Sequence, residues 1–449
     1  MSGLKPQEEE VLLLASPEGI HAFGTKLGHY LENNYWLHVD NLYYSDPIGQ
    51  IRRDRQDGSI IQPDHLIEYI AVSAPLHLFD GWAYLGKALL AQVRGLSQIA
   101  IHLGYYAELR AAMSLLAAQG VGVFKHHHFV VDDCGTLHRL PATGKRPTHL
   151  AVWEYLGYWA QLPHARSLFG RVIRPRSMAL SDWLNQLPCT GDERWSPVAS
   201  RLIQDFGLDL RRMANDRAVR NDASYRPSEL ISSQQLTVYE TVDFLVETVR
   251  LLEPGGVGGS FTLLDLYLLH SAVKRVFTYV TDAVPTEEPD RFSGEVEAML
   301  NALFEEEGDR HVMKEFLSGR TLVNDQRLIT QRAVDRVDNS DPRPLLARAT
   351  LLLRIATGVT RDFMHTADIG REHAEGWWNR KAGEIGLSSP ADQGSDVGDM
   401  WRYVVDALDE IDEWRSSGNG SVRELLTNCA YPLQETTNLG LVAAIGLGL

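Results

Sequence analysis

Arg217, Arg220, Asn221 and Ser224 stand at offsets of three, four and seven residues, the spacing that brings side chains onto one face of a helix. Two guanidiniums and an amide on one face are the residue types that clamp a phosphodiester, because Arg donates two parallel hydrogen bonds to an anionic oxygen pair. Tyr225 and Arg226 follow, and Pro227 pushes its predecessor out of the helical region and so ends the helix. The surroundings add cations. From 166 to 226 there are 11 Arg against 7 Asp or Glu, in a chain whose net charge is −16. Ordinary helix-surface chemistry also accounts for the pattern, since Asp216 precedes Arg220 by four residues and Asp222 precedes Arg226 by four.

Several elements must position this group. A helix is predicted to open at Ser196-Pro197, with a core stripe of Val198, Leu202, Phe206, Leu210 and Met213. A long helical signal runs from about 64 to 119 and is expected to contain at least two helices, broken at Pro75 and "FDGW". Its second half carries Ala100, Gly104, Ala107 and Ala111, a stripe that admits a close neighbouring helix, and Gly120 is placed to stop it. Residues 121–140 switch to short strands around a tight turn. A capping box, Ser232-x-x-Gln235, opens a further helix that closes at Pro254-Gly255-Gly256.

These boundaries give an N-terminal extension over 1–60, a helical domain with a small β-hairpin over 61–253, a Gly-rich linker over 254–260 and a C-terminal helical domain over 261–449. The fold class expected is mainly α. Three scattered cysteines offer neither a disulfide framework nor a zinc spacing. The acidic balance argues against a general nucleic-acid coat. No signal peptide is legible at the N-terminus, and the apolar end "NLGLVAAIGLGL" is too short to cross a bilayer. The expectation is a soluble cytoplasmic protein that does not engage the membrane.

Three other stretches bear on chemistry. In "KHHHF" only His126 and His128 can share a face of a strand, and two histidines make no metal centre by themselves. "HTADIGREH" would place His365, Asp368, Glu372 and His373 on one face of a helix, but Gly370 interrupts it, and capping and surface pairing account for these residues. "EPGGVGGS" lacks the lysine of a phosphate loop. No cofactor or metal is expected.

A helix carrying Arg-Asn, followed within a few residues by an aromatic and a break, resembles the motif helix of the HEPN superfamily. "HLGYYAELRAAMSLLAAQGVGVF" is similar to the early core helix of such proteins. The resemblance covers about 60–253 and rests on short motifs. It implies a compact helical bundle from bacterial toxin–antitoxin or antiviral defence systems. Active members cleave RNA without metal, through an Arg and a His four to six positions beyond it. Carried over, Arg220 binds phosphate, with Arg217 and Arg226 beside it, Asn221 is the polar partner, and Tyr225 stands in the His slot. A phenol is a poor base at neutral pH, so His102 or His128 would be the displaced base. The resemblance also implies a homodimer, RNA as a ligand, and a protein partner encoded nearby: an ATPase, an effector or an antitoxin. The alternative it leaves is a catalytically inactive scaffold for that partner.

Overall fold

The computed structural model describes residues 3–33, 35–56, 60–141, 146–190, 219–221, 223, 236–255, 261–318, 329–335, 337, 341–370, 372–373, 380, 397–417 and 420–447. The fold is mainly α, with one small antiparallel sheet. Helices α1 (Pro6–Leu12), α2 (Glu18–Glu32) and α3 (Pro47–Gln56) precede two long helices, α4 (Pro63–Val93) and α5 (Ser97–Ala117). Strands β1 (Val121–Phe124), β2 (His127–Val131) and β3 (Leu137–Arg139) follow, paired in that order. Then come α6 (Thr148–Trp159), α7 (Pro163–Val172) and α8 (Leu180–Leu184). Beyond them lie α9 (Val238–Leu251), α10 (Thr262–Thr281), α11 (Pro289–Leu303), α12 (Glu307–Leu317), α13 (Ile329–Arg332) and α14 (Arg343–Thr366). The chain closes with α15 (Val397–Ser416), α16 (Val422–Asn428), α17 (Ala430–Thr437) and α18 (Gly440–Leu447).

Two helices do fill the 64–119 region, but neither Pro75 nor "FDGW" at 79–82 breaks the first, since both lie inside α4. Pro75 lies buried inside α4. A proline removes one backbone hydrogen bond, and its helix here is packed along most of its length, so tertiary burial overrides the local cost. The break comes at Gly95, whose φ of 75° closes α4. Gly95 N–H donates to Gln92 O and Leu96 N–H to Ala91 O, both at 2.9 Å, the paired bonds of a left-handed helix stop. Gly120, with φ of 78°, ends α5 in the expected way. A Cβ there would meet the Ser16 carbonyl oxygen at 2.8 Å.

The small-residue stripe has a partner. Ala100, Gly104, Ala107 and Ala111 are all fully buried, and a Cβ on Gly104 would lie 2.6 Å from Leu346 of α14. The helix admitted by the stripe therefore comes from beyond the Gly-rich stretch. Trp82 of α4 donates its indole N–H to Thr357 of α14 at 3.1 Å, and Ser114 of α5 meets Thr360 at 3.0 Å. The apolar core is continuous from Leu4 to Leu447. Residues 256–260 lie outside the described residues, but their flanks do not: Pro254 pairs with Phe261, and Thr262 N–H donates to Glu253 O at 2.9 Å. The Gly-rich stretch leaves and re-enters the structure at one point.

Helix α9 opens with Thr237 and Glu240 capping each other reciprocally, Glu240 N–H to Thr237 Oγ1 at 3.2 Å and Thr237 N–H to Glu240 Oε2 at 2.8 Å. The Ser232-x-x-Gln235 box and the 196–213 stripe lie outside the described residues. The apolar end forms α18, buried against α4 and α14, and no helix among the described residues is long and apolar enough to cross a membrane.

One charge pair closes the core. Arg354 of α14 donates Nε–H and Nη2–H to the two Asp265 oxygens of α10 at 2.7 and 2.8 Å, with both side chains fully buried. Removing one partner of such a pair costs about 3–5 kcal/mol because a bare charge remains, whereas replacing both by apolar groups is far milder. Denaturant unfolding of Arg354→Met is expected to lose that amount, and Arg354→Met with Asp265→Leu to regain most of it.

His270 of α10 supplies a pH test. It is buried, neither ring nitrogen has a hydrogen-bond partner, and burial pushes its pKa down from 6.5 to about 3. The folded pKa lies below the unfolded one, so its neutral form is favoured in the fold. Stability is full above pH 6.5 and is lost as the pH falls towards 3. The unfolding free energy of His270→Leu should fall less steeply than that of wild type across this interval.

Candidate functional site

Helix α5 presents His102 and Tyr106 one turn apart, with Tyr105 between them. Tyr105 is fully buried and Tyr106 and His102 are half-buried, because the small residues on the opposite face draw α5 against α14 and leave this face towards the surface. Tyr84 of α4 stacks on Tyr106, with ring centroids 5.5 Å apart and planes 27° from parallel. The His102 ring lies 5.0 Å from that of Tyr106, tilted by 58°. From α6, His149 brings Nδ1 within 3.3 Å of the Tyr105 hydroxyl.

Arg220 sits on this aromatic surface. Residues 219–221 and 223 are helical, and Ala223 is buried in the core. The Arg220 guanidinium carbon is 4.7 Å from the Tyr105 ring centroid and 5.6 Å from that of Tyr106. A guanidinium over an aromatic face is attracted by the ring quadrupole, by ~0.5–2 kcal/mol as water is excluded. Its Nη1–H donates to Asn221 Oδ1 at 3.0 Å. The Arg-Asn pair thus makes a hydrogen bond within the motif and a cation–π contact outside it.

Electrostatics follow from this packing. Burial and then the nearby Arg220 charge hold the His102 pKa below 6.5, so the imidazole is neutral at pH 7 and able to accept a proton. Burial raises the Tyr105 phenol above its usual range, with Arg220 opposing.

Of the residues singled out from sequence, Arg220, Asn221 and His102 are brought into one group. His128 is not among their contacts. It is buried on β2, its ring 5.4 Å from Tyr155, and it donates Nε2–H to the Arg146 carbonyl oxygen at 3.4 Å. Burial pushes its pKa down to about 4. His126 Nδ1–H reaches the same carbonyl at 3.2 Å, but from the turn before β2 and not from the strand face the sequence suggested. Arg217, Tyr225 and Arg226 lie outside the described residues, as do Ser224, Asp216 and Asp222. Tyr105 and Tyr106 read from sequence as core area alone. The signal for their second role is their spacing to His102, but nothing in sequence places a residue 114 positions later above them.

The 365–373 stretch is not one helical face. α14 ends at Thr366, Asp368 turns left-handed at φ 56°, and His373 Nδ1 accepts from Gly370 N–H at 3.2 Å. Asp132, Asp133 and Cys134 bring three potential metal-ligand atoms within 4.8 Å of one another. They are a turn, however: Asp132 Oδ1 accepts from the Cys134 and Thr136 amides at 3.0 and 2.8 Å.

No known protein family, curated protein or solved structure matches this chain.

The Arg220–His102 coupling can be measured directly. In imidazole NMR titrations His102 should titrate below 6.5 in wild type. In Arg220→Ala it should move upward but stop short of 6.5, because burial is the larger cause. No movement would place Arg220 outside electrostatic reach.

Proposed function

We propose that this protein engages RNA through the patch centred on Arg220, Tyr106 and His102, as a HEPN-like component of a bacterial antiviral defence or toxin–antitoxin system. One observation carries the reading. The arginine singled out from sequence and one of the two histidines singled out as a displaced base share an aromatic surface, where Tyr106 contacts both. A cation beside stacking rings suits single-stranded nucleic acid, whose phosphates pair with the guanidinium and whose bases stack on the aromatics.

In an endoribonuclease of this kind the neutral His102 imidazole would take the proton of the attacking 2′-hydroxyl. Arg220 would hold the phosphate oxygens as charge develops on them. The bond formed joins the 2′-oxygen to phosphorus, the bond broken frees the 5′-oxygen, and the proton passes to that leaving group. No metal takes part in this scheme. Arg217 and Arg226 would extend the phosphate contacts. Assembly as a homodimer, and a partner ATPase, effector or antitoxin, belong to the same proposal.

A scaffold that binds a partner protein is the second reading. It is favoured by the commitment of the Arg220 guanidinium to Asn221 and two tyrosine faces within its own chain.

Incubation of the purified chain with single-stranded RNA in EDTA separates the two. Cleavage by wild type, lost by at least a hundredfold in Arg220→Ala and in His102→Ala, is the expected result, in line with about 10²–10⁴ for a positioned acid–base group. RNA left intact and unbound by wild type and both variants would favour the scaffold.

A further inference from the structure

A cleft of about 720 Å³ opens between the first turn of α2, one face of α7 and the last turns of α14, well away from Arg220 in sequence. It is of small-molecule size. Its walls alternate apolar and polar groups. Leu168, Val359 and Phe363 supply apolar surface, and the His21 ring stacks 5.8 Å from Phe363.

The hydroxyl groups of the cleft find partners within its own walls. Ser16 donates its hydroxyl to Glu18. Ser167 donates to the His164 carbonyl oxygen at 2.9 Å, and Thr366 to the Asp362 carbonyl oxygen at 2.8 Å. Gln119 donates to the Ala118 carbonyl oxygen at 3.2 Å. Arg171 gives Nε–H to Asp362 at 2.7 Å, so that cation is balanced within the wall. Beside the Arg171–Asp362 pair, the wall offers a visitor the Glu18 carboxylate and the imidazoles of His21, His164 and His365. Glu18 lies within electrostatic reach of both histidines and has no Lys or Arg among its charge partners. Burial holds both imidazoles below their usual pKa, hence neutral at pH 7.

With Arg171 balanced by Asp362, the Glu18 carboxylate is the charge that the wall presents, and it favours a cation over a phosphate or carboxylate. The walls also do not form a metal centre. Among the described residues the only three ligand atoms within 4.8 Å of one another belong to Asp132, Asp133 and Cys134, and not to this cleft. An ammonium group needs no such closure, since its N–H bonds reach separated acceptors singly.

We infer that this cleft binds a small organic ammonium ion with a short alkyl body, its N–H groups donating to Glu18, His21 and His164 and its methylenes lying on Phe363 and Leu168. The site is independent of RNA engagement at Arg220.

Isothermal titration of the full chain with 1,4-diaminobutane tests it, alongside Glu18→Gln and Glu307→Gln. Glu18 and Glu307 are both exposed, so neither variant threatens folding. Glu307→Gln controls for diffuse attraction to a chain of net charge −16. The expected result is saturable one-to-one binding, weakened roughly tenfold by Glu18→Gln, as for one lost charge-assisted hydrogen bond, and unchanged by Glu307→Gln. Absence of saturable binding, or equal weakening by both variants, would overturn the inference. So would stoichiometric binding of Zn²⁺ or inorganic phosphate that Glu18→Gln abolishes.

Discussion

Asp265 and Arg354 form a buried, doubly hydrogen-bonded pair on which three parts of the chain converge. Arg354 also donates to the Val172 carbonyl oxygen at the end of α7, at 2.9 Å. Asp265 accepts from the Arg174 amide just beyond that helix, at 3.2 Å, and from the Phe261 amide at the start of α10, at 3.4 Å. The guanidinium lies 5.1 Å from the Phe261 ring. Two ions buried without water repay their desolvation only with good geometry and additional hydrogen bonds. The bonds formed link α7, α10 and α14, and with them the flanks of the Gly-rich stretch, and leave Arg354 Nη1 buried without a hydrogen-bond partner.

A second buried pair acts six residues earlier on α14. Arg348 approaches Glu108 of α5 at 3.4 Å and donates to the Ala333 carbonyl oxygen at 3.0 Å. The same helix packs Leu345 and Leu346 against Gly104 on the small-residue face of α5. That contact fixes which way α5 faces. Because Gly104 and Ala107 turn inward, His102 and Tyr106 turn towards the surface, where Tyr84, His149 and Arg220 complete the aromatic group. The wall of the α2–α7–α14 cleft derives from the same arrangement, since Val359, Asp362 and Phe363 continue the helix that carries Arg354.

The two candidate sites are chemically opposite. Around Arg220 a cation lies on polarisable ring faces, a surface suited to anions and bases. In the cleft a carboxylate, Glu18, stands among imidazoles and has no Lys or Arg acting on it. A chain with a strong negative balance accommodates both because short-range geometry, more than net charge, decides what each pocket presents; beyond a Debye length of about 8–10 Å the distant charges are screened.

By itself the sequence determined the elements whose causes are local. Periodic apolar residues announced the helices, Gly120 its left-handed stop, and the switch of pattern the strands at 121–139. It also marked Arg220, Asn221 and His102 by residue type. Local reasoning placed a break at Pro75 that burial overrode, and passed over Gly95 and the Thr237–Glu240 cap. Composition suggested a boundary at 254–260, yet side chains on either side of it share one core. Only the tertiary structure decided what the small-residue stripe packs against, that Tyr105 and Tyr106 lie beneath Arg220, and that His102 rather than His128 joins them. These are contacts between residues about a hundred or more positions apart, and such contacts are set by the packing of whole helices and the satisfaction of buried charges, which no short window of sequence contains.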